Sequence, residues 1–141
     1  MVFTNGCFSL LHVGHVRYLV AARREGDYLV VAINSDDSIG RLKGGDRLVV
    51  PQNQRARLMA SFSAVDYVTV FDEDTPLALL EALRPEVLVK GGNYDIEGVV
   101  GREIVWQYGG TVKTVAPTQG ASSTNLVKTI LERAKAAERA S

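Results

Sequence analysis

The sequence is poor in several features that would each point to a particular function. It has one cysteine, Cys7. That excludes an internal disulfide framework and a multi-cysteine zinc site, and it fits a reducing, cytoplasmic setting. It has no net charge, with 16 Lys and Arg against 16 Asp and Glu. No basic field exists to draw nucleic acid, so no nucleic-acid partner is expected. Apolar runs such as Tyr28 to Ile33 are far too short to span a bilayer, so no membrane partner is expected either. The apolar start meets Asn5 and Gly6 at once, unlike a secretory signal. Internal repeats and low-complexity segments are absent. Histidine is scarce as well, but its two copies, His12 and His15, lie three residues apart.

What is present is ordinary for one folded domain: 141 residues, 46% hydrophobic and 23% charged. Short apolar runs alternate with amphipathic stretches. Val2 to Thr4, Tyr28 to Ile33, Tyr67 to Phe71, Val87 to Val89 and Val112 to Val115 read as strands. Val13 to Arg24 reads as a helix with Val16, Leu19, Val20 and Arg23 on one face, and Gly26 just past its end. Further helices are expected over Gln54 to Phe62, Pro76 to Leu83, Arg102 to Tyr108 and Thr124 to Ala137. Apolar strands alternating with helices imply an α/β, Rossmann-like, doubly wound parallel sheet in three layers, αβα. The domain is expected over residues 1–131. Residues 132–141, rich in Ala, Arg and Lys, are expected to be a terminal helix or the start of a linker to a further domain. Trp106 and Tyr108 suit core packing or a homodimer contact.

Ligands of such sheets bind beyond the C-terminal ends of the strands. Three polar or glycine-rich stretches follow strands. The first, Asn5-Gly6-Cys7-Phe8, leads to His12-Val13-Gly14-His15 at a helix start. That helix end presents free N–H groups and partial positive charge, which suits phosphate. Gly6 and Gly14 permit close backbone approach. Two surface histidines, or a metal pair, are the other readings, but histidines three apart with no third ligand make a poor zinc site. No metal ligands are expected. The second stretch, Lys90-Gly91-Gly92-Asn93, permits close approach to a ribose or base. The third, Ser122-Ser123-Thr124, opens the last helix, where hydroxyls serve as N-caps and also as anion donors. Cys7 suits a small buried apolar role more than a nucleophile.

Thr4-Asn5-Gly6-Cys7-Phe8-Ser9-Leu10-Leu11-His12-Val13-Gly14-His15 resembles the HxGH signature of the cytidylyltransferase-like nucleotidyltransferases. Arg41 to Gly44, Asp72 to Pro76, Leu83 to Gly92 and Ser122 to Leu126 extend the resemblance over nearly the whole chain. The pattern is most similar to heptose 1-phosphate adenylyltransferase domains. The resemblance implies transfer of a nucleotidyl group from a triphosphate, CTP or ATP, to a small phosphorylated or phosphonate acceptor. His12, His15 and Lys43 would act on the phosphates, with Lys43 in a basic, mobile loop spanning Arg41 to Arg47. Thr4, Asn5, Gly6, Cys7, Phe8, Gly14, Lys90, Gly91, Gly92, Asn93, Ser122, Ser123 and Thr124 would bind the nucleotide. Ser9 and Arg55 would face the acceptor. Mg²⁺ would arrive with the nucleotide. Two departures stand out: Ser9 and Asn93 occupy positions where the family has Asp. A pocket short of two carboxylates suggests a small phosphonate in place of a sugar. The expectation is therefore CTP and 2-hydroxyethylphosphonate, as in the cytidylyltransferase domains of the fosfomycin pathway, which are fused to a second enzyme. Heptose 1-phosphate with ATP is the alternative. A non-catalytic nucleotide-binding module and a flavodoxin-like domain are more distant ones.

Overall fold

The computed structural model describes residues 1–92 and 95–141. Five strands form one parallel sheet: β1 Val2–Gly6, β2 Leu29–Asn34, β3 Tyr67–Phe71, β4 Val87–Gly91 and β5 Thr111–Val115. Their spatial order is β3-β2-β1-β4-β5. The six helices among the described residues are α1 Val13–Arg23, α2 Asp36–Lys43, α3 Gln52–Ala60, α4 Leu77–Leu83, α5 Arg102–Gln107 and α6 Ser123–Ala140. Every expected strand and helix is present, and α2 is additional.

Side-chain alternation along the strands separates two cores. On one face Val2, Val31, Ile33 and Val89 pack with Leu19 and Ala22 of α1 and Met59 of α3. On the other, Phe3, Val30, Ala32 and Leu88 pack with Leu80 of α4 and Val105 of α5. β2 is buried at every residue, as the two-sided reading requires, whereas the edge strands β3 and β5 are mostly exposed or half-buried. The burying face of α1 differs from expectation. His15, Leu19 and Ala22 lie inward, while Val16 and Val20 are exposed. His15, Leu19 and Ala22 form one i, i+4, i+7 row, and that row meets the sheet.

Missing α2 has a local cause. Its sequence, Asp36 to Lys43, holds only Ile39 and Leu42 as large apolar residues and a glycine in its middle. Its start is fixed by Ser35, whose hydroxyl accepts from the Ser38 N–H at 3.1 Å, with Asp36 and Asp37 in the first turn. The segment expected as a basic loop, Arg41 to Arg47, is therefore the last turn of α2 followed by a short 3-10 turn, Gly45–Arg47. The expected division at 131/132 falls inside α6, which runs unbroken to Ala140. Tyr108 donates to the Pro85 carbonyl at 2.8 Å, while Trp106 lies exposed beside the Arg102 guanidinium. No helix among the described residues is long and apolar enough to cross a membrane.

Candidate active site

The sheet order reverses direction at β1, so the crevice between β1 and β4 is the topological switch point. The register shows why it is open. β1 pairs with β2 along five residues but with β4 only at Val2↔Val87 and Phe3↔Leu88. Beyond them, side chains replace the ladder. The Tyr18 hydroxyl donates to the Val89 carbonyl at 3.0 Å and meets the Thr4 hydroxyl. Burial raises the Tyr18 pKa, so the hydroxyl keeps its proton. The Lys90 ammonium donates to the Asn5 carbonyl at 3.0 Å.

Above this opening lies a cavity of about 390 Å³. Asn5 and Gly6 at the end of β1 and Cys7, Phe8 and Ser9 of the loop after it line it, with the N-cap His12 and Gly14, His15 and Tyr18 of α1. Lys90, Gly91 and Gly92 close it from β4, and Lys43 and Arg47 from the far side. Ser123, Val115 at the end of β5 and the segment Ala116 to Thr118 after it add to the wall. Lys43, Arg47 and Lys90 outnumber Asp46, the one carboxylate among these lining residues, so the cavity favours an anion.

The histidines are held in a defined tautomer. His12 is the N-cap of α1, and its Nδ1 accepts from the Gly14 N–H at 3.1 Å. His15 Nδ1 accepts from the His12 N–H at 3.2 Å. With both Nδ1 atoms accepting, each neutral ring carries its proton on Nε2, free to donate. The ring centres are 4.1 Å apart. Burial, with repulsion from His12 second, lowers the His15 pKa to about 4. His15 is thus a neutral N–H donor at physiological pH. Burial also lowers the Lys90 pKa. Gly14 is required by space: a Cβ there would come within 2.8 Å of the His12 ring. Gly92 is required by backbone, at φ +108° where it turns out of β4.

Two polar atoms in the cavity wall are buried without a hydrogen-bond partner among the described residues: Asn5 Oδ1 and Ser9 Oγ. Buried polar groups are nearly always paired, so these two point to a ligand that supplies donors. Cys7 is half-buried, with its sulfur 3.7 Å from Asn34 Oδ1.

Several expected site residues lie elsewhere. Thr4 is fully buried beneath the cavity, because its side chain points into the core toward Tyr18. Arg55, expected to face the acceptor, is also buried, with its guanidinium consumed by protein partners, and does not line the cavity. Of the trio that opens α6, only Ser123 lines the cavity, and its hydroxyl donates to the Leu10 carbonyl at 2.8 Å. Ser122 is spent as the N-cap, accepting from the Asn125 N–H, and Thr124 is exposed. Asn93 lies outside the described residues. Sequence reasoning had Arg47 only as the end of a basic loop, and missed Tyr18 and the segment after β5. The rule that sites follow strands could have found the last, and spacing of three from His15 the first.

A model of the family described as cytidylyltransferase-like matches residues 3–129. The chain belongs to the cytidylyltransferase-like family. It is a nucleotidyltransferase, and the HxGH reading of His12 to His15 holds for its fold and reaction class. It is 59% identical over 132 residues to the bifunctional protein HldE of Geobacter sulfurreducens, covering 94% of this chain and 27% of that protein. The bifunctional protein HldE of Syntrophotalea carbinolica is 56% identical over 133 residues, with the same two shares. The chain thus spans about a quarter of the length of these relatives. Among solved structures, the lipopolysaccharide core biosynthesis protein of Thermoplasma volcanium matches with TM-score 0.67 and 26% identity, over 85% of this chain and 97% of that one. These relatives correct the expectation of a fosfomycin-pathway phosphonate enzyme and of a role in antibiotic biosynthesis. Neither has support among them.

Proposed function

We propose that the chain transfers AMP from ATP to the phosphate of a heptose 1-phosphate. An acceptor phosphate oxygen attacks the α-phosphorus, the α–β anhydride bond breaks, and pyrophosphate leaves with the electron pair. Such a reaction needs in-line positioning and charge stabilisation, with no protein nucleophile. The observation that carries the reading is the pair of fixed Nε2 donors beside a cationic cavity at the switch point. His12 and His15 would donate to phosphate oxygens as charge moves toward the leaving group. Lys90, Lys43 and Arg47 would neutralise the triphosphate.

Heptose as the acceptor class is supported by the HldE relatives and by the resemblance to heptose 1-phosphate adenylyltransferase domains. Substitution of Ser9 for a carboxylate does not disfavour a sugar. Its orphaned hydroxyl oxygen, and that of the Asn5 amide, can each accept from a sugar or ribose hydroxyl. Mg²⁺ would supply charge neutralisation on the triphosphate. No three His, Cys, Asp or Glu side chains among the described residues converge on a metal position, so nucleotide oxygens and water would hold the ion. The greater length of the relatives supports fusion to a second enzyme domain.

The test is pyrophosphate release with ATP or CTP, each paired with heptose 1-phosphate or 2-hydroxyethylphosphonate. Turnover should be confined to ATP with the heptose. Preference for CTP, or for the phosphonate, overturns the assignment.

A further inference from the structure

Among the described residues Arg55 is the largest side chain that is fully buried, and it does not line the cavity. Its guanidinium reaches three separate segments. Nη1 donates to the carbonyls of Cys7 at 2.7 Å and Asn34 at 2.8 Å. Nε donates to the Val50 carbonyl at 2.9 Å, and Nη2 to Asp36 Oδ1 at 2.9 Å. Cys7 belongs to the loop after β1, Asn34 and Asp36 to the end of β2 and start of α2, and Val50 to the segment leaving Arg47. Cys7 and Val49, which is next to Val50, both line the cavity.

The residue after Cys7 makes this contact consequential. Phe8 has φ +50°, a left-handed backbone that a non-glycine residue adopts only when its surroundings impose it. Its ring packs in the core and lies 5.6 Å from the His15 ring. The Cys7 carbonyl, fixed by Arg55, is half of the peptide unit that enters this turn. Asp36 reinforces the other arm: its Oδ1 also accepts from the Gln52 N–H, and its own N–H donates to Gln52 Oε1, both at 2.8 Å.

We infer that Arg55 is a positioning residue that, from behind the cavity, holds the phosphate-facing loop Cys7–Phe8 in register with the wall that carries Lys43, Arg47 and Val49. Its planar fork meets carbonyls in three directions at once, which a lysine ammonium on a flexible stem cannot reproduce. The kinetic readout rests on the nucleotidyl-transfer reading, so ATP affinity without acceptor is measured as a second readout.

The decisive variant is Arg55→Lys, which keeps the charge beside Asp36 and loses the fork. Leu80→Ala is the control, because Leu80 is buried in the core on the opposite face of the sheet. Arg55→Lys should lower kcat about 10- to 100-fold and weaken ATP binding several-fold (roughly 1.4 kcal/mol for each factor of ten). Leu80→Ala should lower Tm with kcat and ATP affinity within about twofold of wild type, taking the usual independence of distant sites. Should Arg55→Lys fail to fold, Arg55→Ala is assayed with added guanidinium ion, which should restore ATP binding. Normal ATP affinity in Arg55→Lys, no recovery with guanidinium, or equal loss of ATP affinity in both cores' variants overturns the inference. Absence of turnover in wild type with normal ATP binding counts against the acceptor assignment alone.

Discussion

In the proposed reaction His12 and His15 would act through the positions of single protons. Each Nδ1 is occupied by a backbone N–H, which directs the Nε2 proton outward. Loss of one such donor from a phosphoryl-transfer site should lower turnover about 10²–10³-fold. His12→Ala and His15→Ala should show that fall in steady-state kinetics, and near-normal kcat in both would refute the role. The depressed pKa of His15 also has a consequence for stability. Between about 4 and the ordinary value of 6.5, the unfolded chain binds more protons at this residue than the folded one. Its contribution therefore makes stability rise with pH across that window and weaken as pH falls toward 4. Denaturant midpoints of wild type and His15→Gln at several pH values should show the smaller slope in the variant. Equal slopes would mean that His15 is not held neutral.

At the scale of elements, α2 links the cavity to the loop after β3. Ser35 caps α2 through the Ser38 N–H, and its own hydroxyl donates to Asp72. Arg41 near the other end pairs with Asp74 at 2.8 Å and donates to the Asp72 carbonyl. That exposed pair adds little by itself, but the cap is buried. Ser35→Ala should cost about 0.5–2 kcal/mol, the range for loss of an N-cap, with urea denaturation as the measurement. An unchanged midpoint would show that the cap is idle. The element was illegible in the sequence because caps and a salt link, not an apolar stripe, define it. By contrast, β2 and α4 were legible from their apolar runs and from the proline at the α4 start.

For the whole molecule, two cores separated by the sheet divide stability from chemistry. The core holding Val2, Leu19, Val31 and Met59 lies beneath Phe8 and Tyr18, and so beneath the cavity. The opposite core, with Phe3, Leu80 and Leu88, does not touch it. Leu80→Ala should therefore cost about 2–5 kcal/mol, as large-to-small changes in tight cores do. Thermal unfolding should register that loss while kcat stays near wild type. A fall in kcat matching that of a cavity residue would show the cores to be coupled.

The sequence by itself determined the strand order along the chain, the layer architecture and the place of the HxGH segment at a helix start, because each is written locally. Apolar runs mark strands buried on both faces, and the spacing of three between histidines is enough to place both on one helical turn. Gly14 and the Ser122 cap were legible for the same reason. Tertiary structure alone decided which neighbours those residues have. Thr4, expected at a strand end to bind the nucleotide, faces inward, because the pleat of β1 sends it toward Tyr18. Arg55 looks like a ligand-binding arginine at a helix start, yet three carbonyls and one carboxylate from other segments surround it. The open crevice depends on β1 and β4 parting after two paired residues, and a divergence between strands more than 80 residues apart leaves no mark in either strand's own sequence.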